Sequence, residues 1–171
     1  MTPPATTSSS DATPAFDALI GLGSNVGDKE ANIHQAIALL TAKGDIALVR
    51  ASRLYRTAPW GVLDQDWFVN ACIAVKTDLS PQDLLRRCLG IEEEMKRVRE
   101  RRWGPRVIDV DVLIYRDAVL AESDLVLPHP RITERAFVLV PLAEIAPEAV
   151  VAGHPLAHWL THLDASDVTP L

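Results

Sequence analysis

The chain has 171 residues, with 17 Lys and Arg against 23 Asp and Glu, for a formal charge of −6. That length suits one domain whose core is large enough to fold without disulfide or metal staples. Apolar residues at 48% and charged residues at 23% are ordinary globular values, so a chain disordered throughout is excluded. The acidic total also argues against a surface given over to nucleic acid or anionic lipid.

Residues 1–16 (MTPPATTSSSDATPAF) are rich in Ser, Thr and Pro and hold no Lys or Arg. They predict a disordered tail, neither a secretory signal nor a transit peptide, ahead of a single domain over 17–171. Residues 17–22 (DALIGL) read as a first strand ending at Gly23-Ser24-Asn25. Asp28 can cap a helix whose Ile33, Ala36, Ile37 and Leu40 follow helical spacing, and Gly44 stops it. GLGSNVGD lacks the P-loop pattern, so it predicts a tight strand-to-helix turn.

Residues 46–57 and 67–76 read as extended, separated by the turn-rich TAPWGVLDQD. Ser80-Pro81-Gln82-Asp83 resembles a capping box with proline at the first helical position. It opens a second helix with Leu84, Cys88, Ile91 and Met95 on one stripe. Residues 107–115 (VIDVDVLIY) predict another strand, VLAESDLVL a short hairpin, and PHPRITER a loop or single helical turn. FVLVPLAEIAPE and a short helix near Trp159 follow. The order β-α-β-β-α-β predicts an α+β, ferredoxin-like sandwich with an added hairpin and C-terminal helices, an architecture that by itself names no activity.

Cys72 and Cys88 fall inside apolar patterns, with no CxxC and no Cys/His set at zinc spacing, so both are expected as buried free thiols. No stretch approaches about 18 continuous apolar residues, the length of a membrane span. The expectation is a soluble cytoplasmic protein with no membrane partner.

Strand side chains alternate between faces, which sorts the polar residues. In 107–115 the even positions Ile108, Val110, Val112 and Ile114 are apolar and are expected to pack on the helices. Asp109 and Asp111 share the other face, with Cα atoms roughly 6–7 Å apart, two strand rises. Paired carboxylates repel unless water or cations compensate them, and hard ions such as Mg²⁺ suit them because they take oxygen ligands from one or two carboxylates plus substrate phosphates. In 67–76, Trp67, Val69, Ala71, Ile73 and Val75 form the apolar face, while Phe68 and Asn70 point the other way. A ring beside an amide can stack on and hydrogen-bond a flat heterocycle.

Residues 96–106 (KRVRERRWGPR) hold six basic side chains and one acid, a local charge of +5 against −11 for the rest. Arg97, Arg99, Arg102 and Arg106 offer planar forks suited to phosphate oxygens. Lying directly before the paired acids, they complete a set suited to Mg-assisted phosphoryl transfer. A nucleic-acid-binding module of the same topology is the rival reading. It needs several exposed aromatics on the sheet, where only Phe68 qualifies, and Asp109 and Asp111 would repel phosphates there.

GLGSNVGD at 21–28, YRTAPWG at 55–61, FVNACIAV at 68–75, RVRERRWGPRVIDVDVL at 97–113 and LPHPRITERAFVLVPL at 127–142 together resemble the 6-hydroxymethyl-7,8-dihydropterin pyrophosphokinases of folate biosynthesis. The resemblance runs from about residue 17 to 150. It implies transfer of the β,γ-diphosphate of ATP to the pterin hydroxymethyl group, with release of AMP and two Mg²⁺ ions as cofactors. By position, the resemblance makes Asp109 and Asp111 the metal ligands and puts Arg97 and Arg106 on the phosphates. It makes Thr57, Ala58, Trp60, Phe68, Asn70 and Phe137 the pterin pocket, with the two phenylalanines sandwiching the ring. Glu92, Trp103, His129 and Arg135 fall where the family binds ATP or orders its closing loops, and segments 57–66 and 97–106 are expected to close over ATP. ATP and the pterin alcohol are the expected partners of a monomer that binds no nucleic acid.

Overall fold

The computed structural model describes residues 15–58, 66–96 and 107–171. Its centre is β1 (Ala18–Ser24), which pairs antiparallel with β4 (Phe68–Thr77) on one side and β5 (Asp109–Tyr115) on the other. Along its outer side β4 pairs with both β2 (Ile46–Ala51) and β3 (Tyr55–Thr57), and β10 (Thr169–Pro170) pairs with β3. With β2 and β3 taken as two parts of one bent strand, the sheet runs second, third, first, fourth, all antiparallel. This is the α+β sandwich the element order predicted.

The segment expected as one strand over 46–57 is broken after Ala51. The Ser52 hydroxyl accepts the backbone N–H of Cys72 at 2.9 Å, so a side chain takes a bond that a continuous ladder would give to the main chain. The first strand runs on through Ser24, and the strand expected from 107 begins at Asp109.

Both main helices start as their caps predict. The Ala31 N–H donates to Asp28 Oδ1 at 3.0 Å ahead of α1 (Lys29–Thr41). The Asp83 N–H donates to Ser80 Oγ at 3.1 Å, with Pro81 first in α2 (Pro81–Lys96). Ile33, Ala36 and Leu40 of α1 and Leu84, Cys88, Ile91 and Met95 of α2 are buried against Ile20, Leu22, Val69, Ala71, Ile73, Val110 and Val112 of the sheet.

The opposite face of the sheet is only partly covered. The predicted hairpin is β6 (Leu120–Ala121) with β7 (Val126–Leu127), and the single turn is a 3-10 helix over Ile132–Glu134. Beyond it come α3 (Ala136–Ile145), a small hairpin of β8 (Val150–Val151) and β9 (His154–Pro155), and α4 (Leu156–Leu160). Leu139, Leu142, Ile145 and Leu156 form a second core with Leu19, Cys72, Ala74, Leu113 and Ile114.

Ile114 therefore departs from the expected pattern. Leu19 lies opposite Ile114 but Ile20 lies opposite Val112, so Leu113 is an extra residue in β5. A bulge of this kind reverses the alternation beyond it. Ile114 turns to the second core and Tyr115 to the first.

Phe16, expected within the tail, packs against the second core. Asp17 accepts from the Thr77 backbone N–H at 2.9 Å and from Arg116 Nε at 3.1 Å, which joins the ends of β4 and β5 to the start of β1. Cys72 and Cys88 are buried free thiols. Among the described residues, no helix is long and apolar enough to cross a membrane.

Candidate active site

Where α3 stops covering the sheet, the exposed side of β1, β4 and β5 becomes the floor of a cleft of about 290 Å³. Antiparallel register lays two rows across it: Asn70–Gly23–Asp109 and Cys72–Gly21–Asp111. Thr57 and Ala58 at the end of β3 and Phe68 of β4 line the cleft together with Arg135, Phe137 and Val138 at the start of α3. Eight residues singled out in the sequence thus meet in one place: Thr57, Ala58, Phe68, Asn70, Asp109, Asp111, Arg135 and Phe137.

The polar groups here are held. Asn70 Nδ2 donates to Thr57 Oγ1 at 2.7 Å, and both side chains are buried. The Arg135 guanidinium lies 5.7 Å from the centre of the Phe137 ring, a cation–π arrangement at the cleft wall. Cys72 lies on the floor, but its thiol is pushed well above the ordinary thiol range, by burial first and then by Asp111 and Glu144. It is a packing residue, not a nucleophile.

A second cleft, of about 360 Å³, opens on the helix side of β5 between α2 and the β7 region. Glu92, His129 and Pro130 border it together with apolar Leu85, Leu89 and Val112, and Asp111 borders both clefts. Glu92 Oε1 accepts the Val110 N–H at 2.8 Å, and its other oxygen lies 3.5 Å from Lys96 Nζ. Burial pushes the Glu92 carboxyl up, Asp109 and Asp111 add to the rise, and the Val110 N–H and Lys96 oppose it. The His129 N–H donates to the Leu113 carbonyl at 2.8 Å, and its Nδ1 accepts from the Arg131 N–H at 3.2 Å. Burial, with Arg135 and Arg131, pulls His129 below its ordinary value. When the ring is neutral, the Nδ1 that accepts from Arg131 leaves the proton on Nε2.

Among the described residues, no three His, Cys, Asp or Glu side chains form a ready cation cage. A pair of carboxylates, Asp109 on the first cleft and Asp111 on both, fits a hard cation that draws its remaining ligands from substrate phosphates and water. Trp60, Arg97, Trp103 and Arg106 lie outside the described residues.

Residues 19–147 match the family model described as 7,8-dihydro-6-hydroxymethylpterin-pyrophosphokinase (HPPK). The chain belongs to this family. The pyrophosphokinase is 54% identical over 151 residues to the 2-amino-4-hydroxy-6-hydroxymethyldihydropteridine pyrophosphokinase of Methylorubrum extorquens, covering 88% of this chain and 96% of the relative. Its counterpart in Bacillus subtilis, of the same name, is 45% identical over 128 residues, 75% of this chain and 77% of that one. Among solved structures, an HPPK-DHPS protein in complex with substrates superposes with a TM-score of 0.71 at 14% identity, over 93% of this chain and 47% of that chain. The chain thus spans about half of that solved chain, and at such identity the likeness concerns the fold.

Sequence reasoning missed the glycine floor of this pyrophosphokinase. The strand expected over 17–22 includes Gly21 and ends at Gly23, with GLGSNVGD otherwise a turn, whereas both glycines lie within β1. Glycines two apart in a strand signal close approach of another group on that face, and that was the available clue.

Proposed function

We propose that the cleft over β1 is where this pyrophosphokinase transfers the β,γ-diphosphate of ATP to the hydroxymethyl group of 6-hydroxymethyl-7,8-dihydropterin, releasing AMP. The observation that carries the reading is the convergence of Asp109 and Asp111 with Thr57, Phe68, Asn70 and Phe137 around one cleft.

Phe68 and Phe137 supply aromatic faces for the flat ring, and Thr57 and Asn70 supply hydrogen-bonding groups for its edge. Ala58 and Trp60 complete the pterin set. Asp109 and Asp111 would hold two Mg²⁺ ions, which would supply Lewis-acid stabilisation of charge on the triphosphate. The second cleft takes the nucleotide, with Glu92 and His129 at its border; Trp103 and Arg135 are assigned to ATP as well, Arg135 from the lining of the first cleft. Asp111, common to both clefts, marks where nucleotide and pterin alcohol meet.

The hydroxymethyl oxygen attacks the β-phosphorus in line. A new O–P bond forms, the bond between the β-phosphorus and the bridging oxygen of AMP breaks, and the hydroxyl proton is released. Arg97 and Arg106 offset charge on the phosphates as it shifts. No side chain needs to become covalently attached, so acceleration comes from positioning and charge stabilisation. The compartment is the cytoplasm, where ATP is available and the two unpaired cysteines stay reduced.

One reaction tests the reading: purified protein, ATP, MgCl₂ and the pterin alcohol, with products separated as nucleotides. AMP appearing in step with pterin diphosphate is the expected result, dependent on Mg²⁺. ADP as the nucleotide product, or AMP formed equally well without the pterin alcohol, contradicts it.

A further inference from the structure

Gly21 and Gly23 take alternate positions of β1, and each is flanked by one residue of β4 and one of β5. Among the described glycines, positive φ angles belong to Gly27, Gly44 and Gly153, not to these two. Their backbone therefore suits any residue, and glycine weakens a strand interior through its conformational freedom. What the two positions restrict is space. A Cβ on Gly21 would meet Leu113 Cδ1 at 3.2 Å, a methyl that can rotate aside. A Cβ on Gly23 would lie 2.7 Å from Asn70 Oδ1, a separation that side chains do not tolerate. Asn70 has little freedom to yield, since its Nδ2 donates to Thr57 Oγ1 at 2.7 Å and the two side chains are 7% and 2% exposed.

We infer that Gly23 is a positioning residue that sets the ligand specificity of the cleft: the space above its Cα holds the Asn70 carboxamide with Oδ1 as an acceptor on the cleft floor. One Nδ2 hydrogen is committed to Thr57, and Oδ1 offers an acceptor to the ligand. Oδ1 favours a flat ring whose edge carries an N–H or amino donor. On the other side of Gly23 in the same row lies Asp109, so no side chain of β1 stands between the ring-binding amide and the carboxylates. The inference rests on the pterin reading of the cleft given above.

The test compares full-length wild type, G23A, N70A and the double variant. Each is titrated with 6-hydroxymethyl-7,8-dihydropterin and, separately, with a non-hydrolysable ATP analogue plus Mg²⁺. G23A is expected to weaken pterin binding by about tenfold or more while the nucleotide stays within about twofold. It is also expected to shift the Asn70 side-chain amide ¹⁵N–¹H pair in ligand-free protein. In the N70A background, Gly23→Ala should lose most of its effect, the signature of coupled residues. Wild-type pterin affinity in G23A, or a loss undiminished in the N70A background, overturns the inference. If G23A does not fold, recovery of folding in the double variant identifies the clash with Asn70, and failure of both overturns it. A wild-type chain that binds no pterin alcohol refutes the pterin reading instead, and the amide pair, read without ligand, still decides the Gly23–Asn70 contact.

Discussion

Glu92 Oε1 accepts the backbone N–H of Val110 at 2.8 Å, tying α2 to the strand residue between Asp109 and Asp111. Among the described residues β5 is the outer strand of the sheet, and this bond covers one of its backbone donors with a side chain. Glu92 thus bears on the spacing of the two carboxylates as well as on the second cleft.

Replacing Glu92 by Ala leaves the Val110 N–H without its acceptor in a half-buried setting. The expected cost is about 1–3 kcal/mol in urea unfolding. Glu92→Gln keeps an oxygen in reach and should retain most of that stability. A Glu92→Ala protein that unfolds at the wild-type midpoint would show that the bond contributes nothing.

Asp109→Asn and Asp111→Asn remove a negative charge with little change in shape. Each is expected to lower the rate of AMP formation by about 10²–10³-fold or more, with pterin binding in the absence of nucleotide largely kept. Turnover near wild type in either variant removes that residue from the cation-binding pair.

Asp17 bears on pH. The Thr77 backbone N–H holds its carboxyl below the ordinary value, Arg116 helps, and burial works against them. The charged form is favoured in the folded chain, so this contribution is present above the unfolded-state value of about 3.9 and is lost as pH falls through the lower folded value. Unfolding midpoints followed from pH 6 to pH 2 should fall more steeply in wild type than in Asp17→Asn. Parallel curves would remove Asp17 from the acid response.

The two thiols should be silent in the native protein. Burial pushes Cys88 up to about 12, with Glu92 and Asp111 adding to it, and drives Cys72 up as well. Ellman's reagent at pH 8 is expected to find almost no reactive thiol until denaturant is added, and then two. Rapid labelling of Cys72 in the folded state would mean that the cleft floor opens.

Much of the fold was legible because its local signals agree. Asp28 and Ser80 cap the helices they were expected to cap, and the apolar stripes of α1 and α2 are the buried faces. Strand alternation placed Phe68, Asn70, Asp109 and Asp111 on one side of the sheet, and they line one cleft. It misled at Ile114, because a bulge is specified by pairing with a neighbouring strand and leaves no mark in a pattern of period two. The break after Ala51 was hidden for a similar reason. Ser52 is an unremarkable residue until Cys72 of β4 lies beside it.

The charge that opened the sequence reading divides along the same line. Composition set the acidic total, and the order of residues along the chain set the +5 segment over 96–106 and the acids that follow it. The motifs were enough to show the resemblance to a pyrophosphokinase family. Tertiary structure decided what stands beside what. It set Gly23 between Asn70 and Asp109, gave Asp111 a place on two clefts, and brought Phe137, 69 residues from Phe68 in the chain, into the same cleft. Those relations depend on strand register and on how far α3 extends over the sheet, and long-range packing sets both.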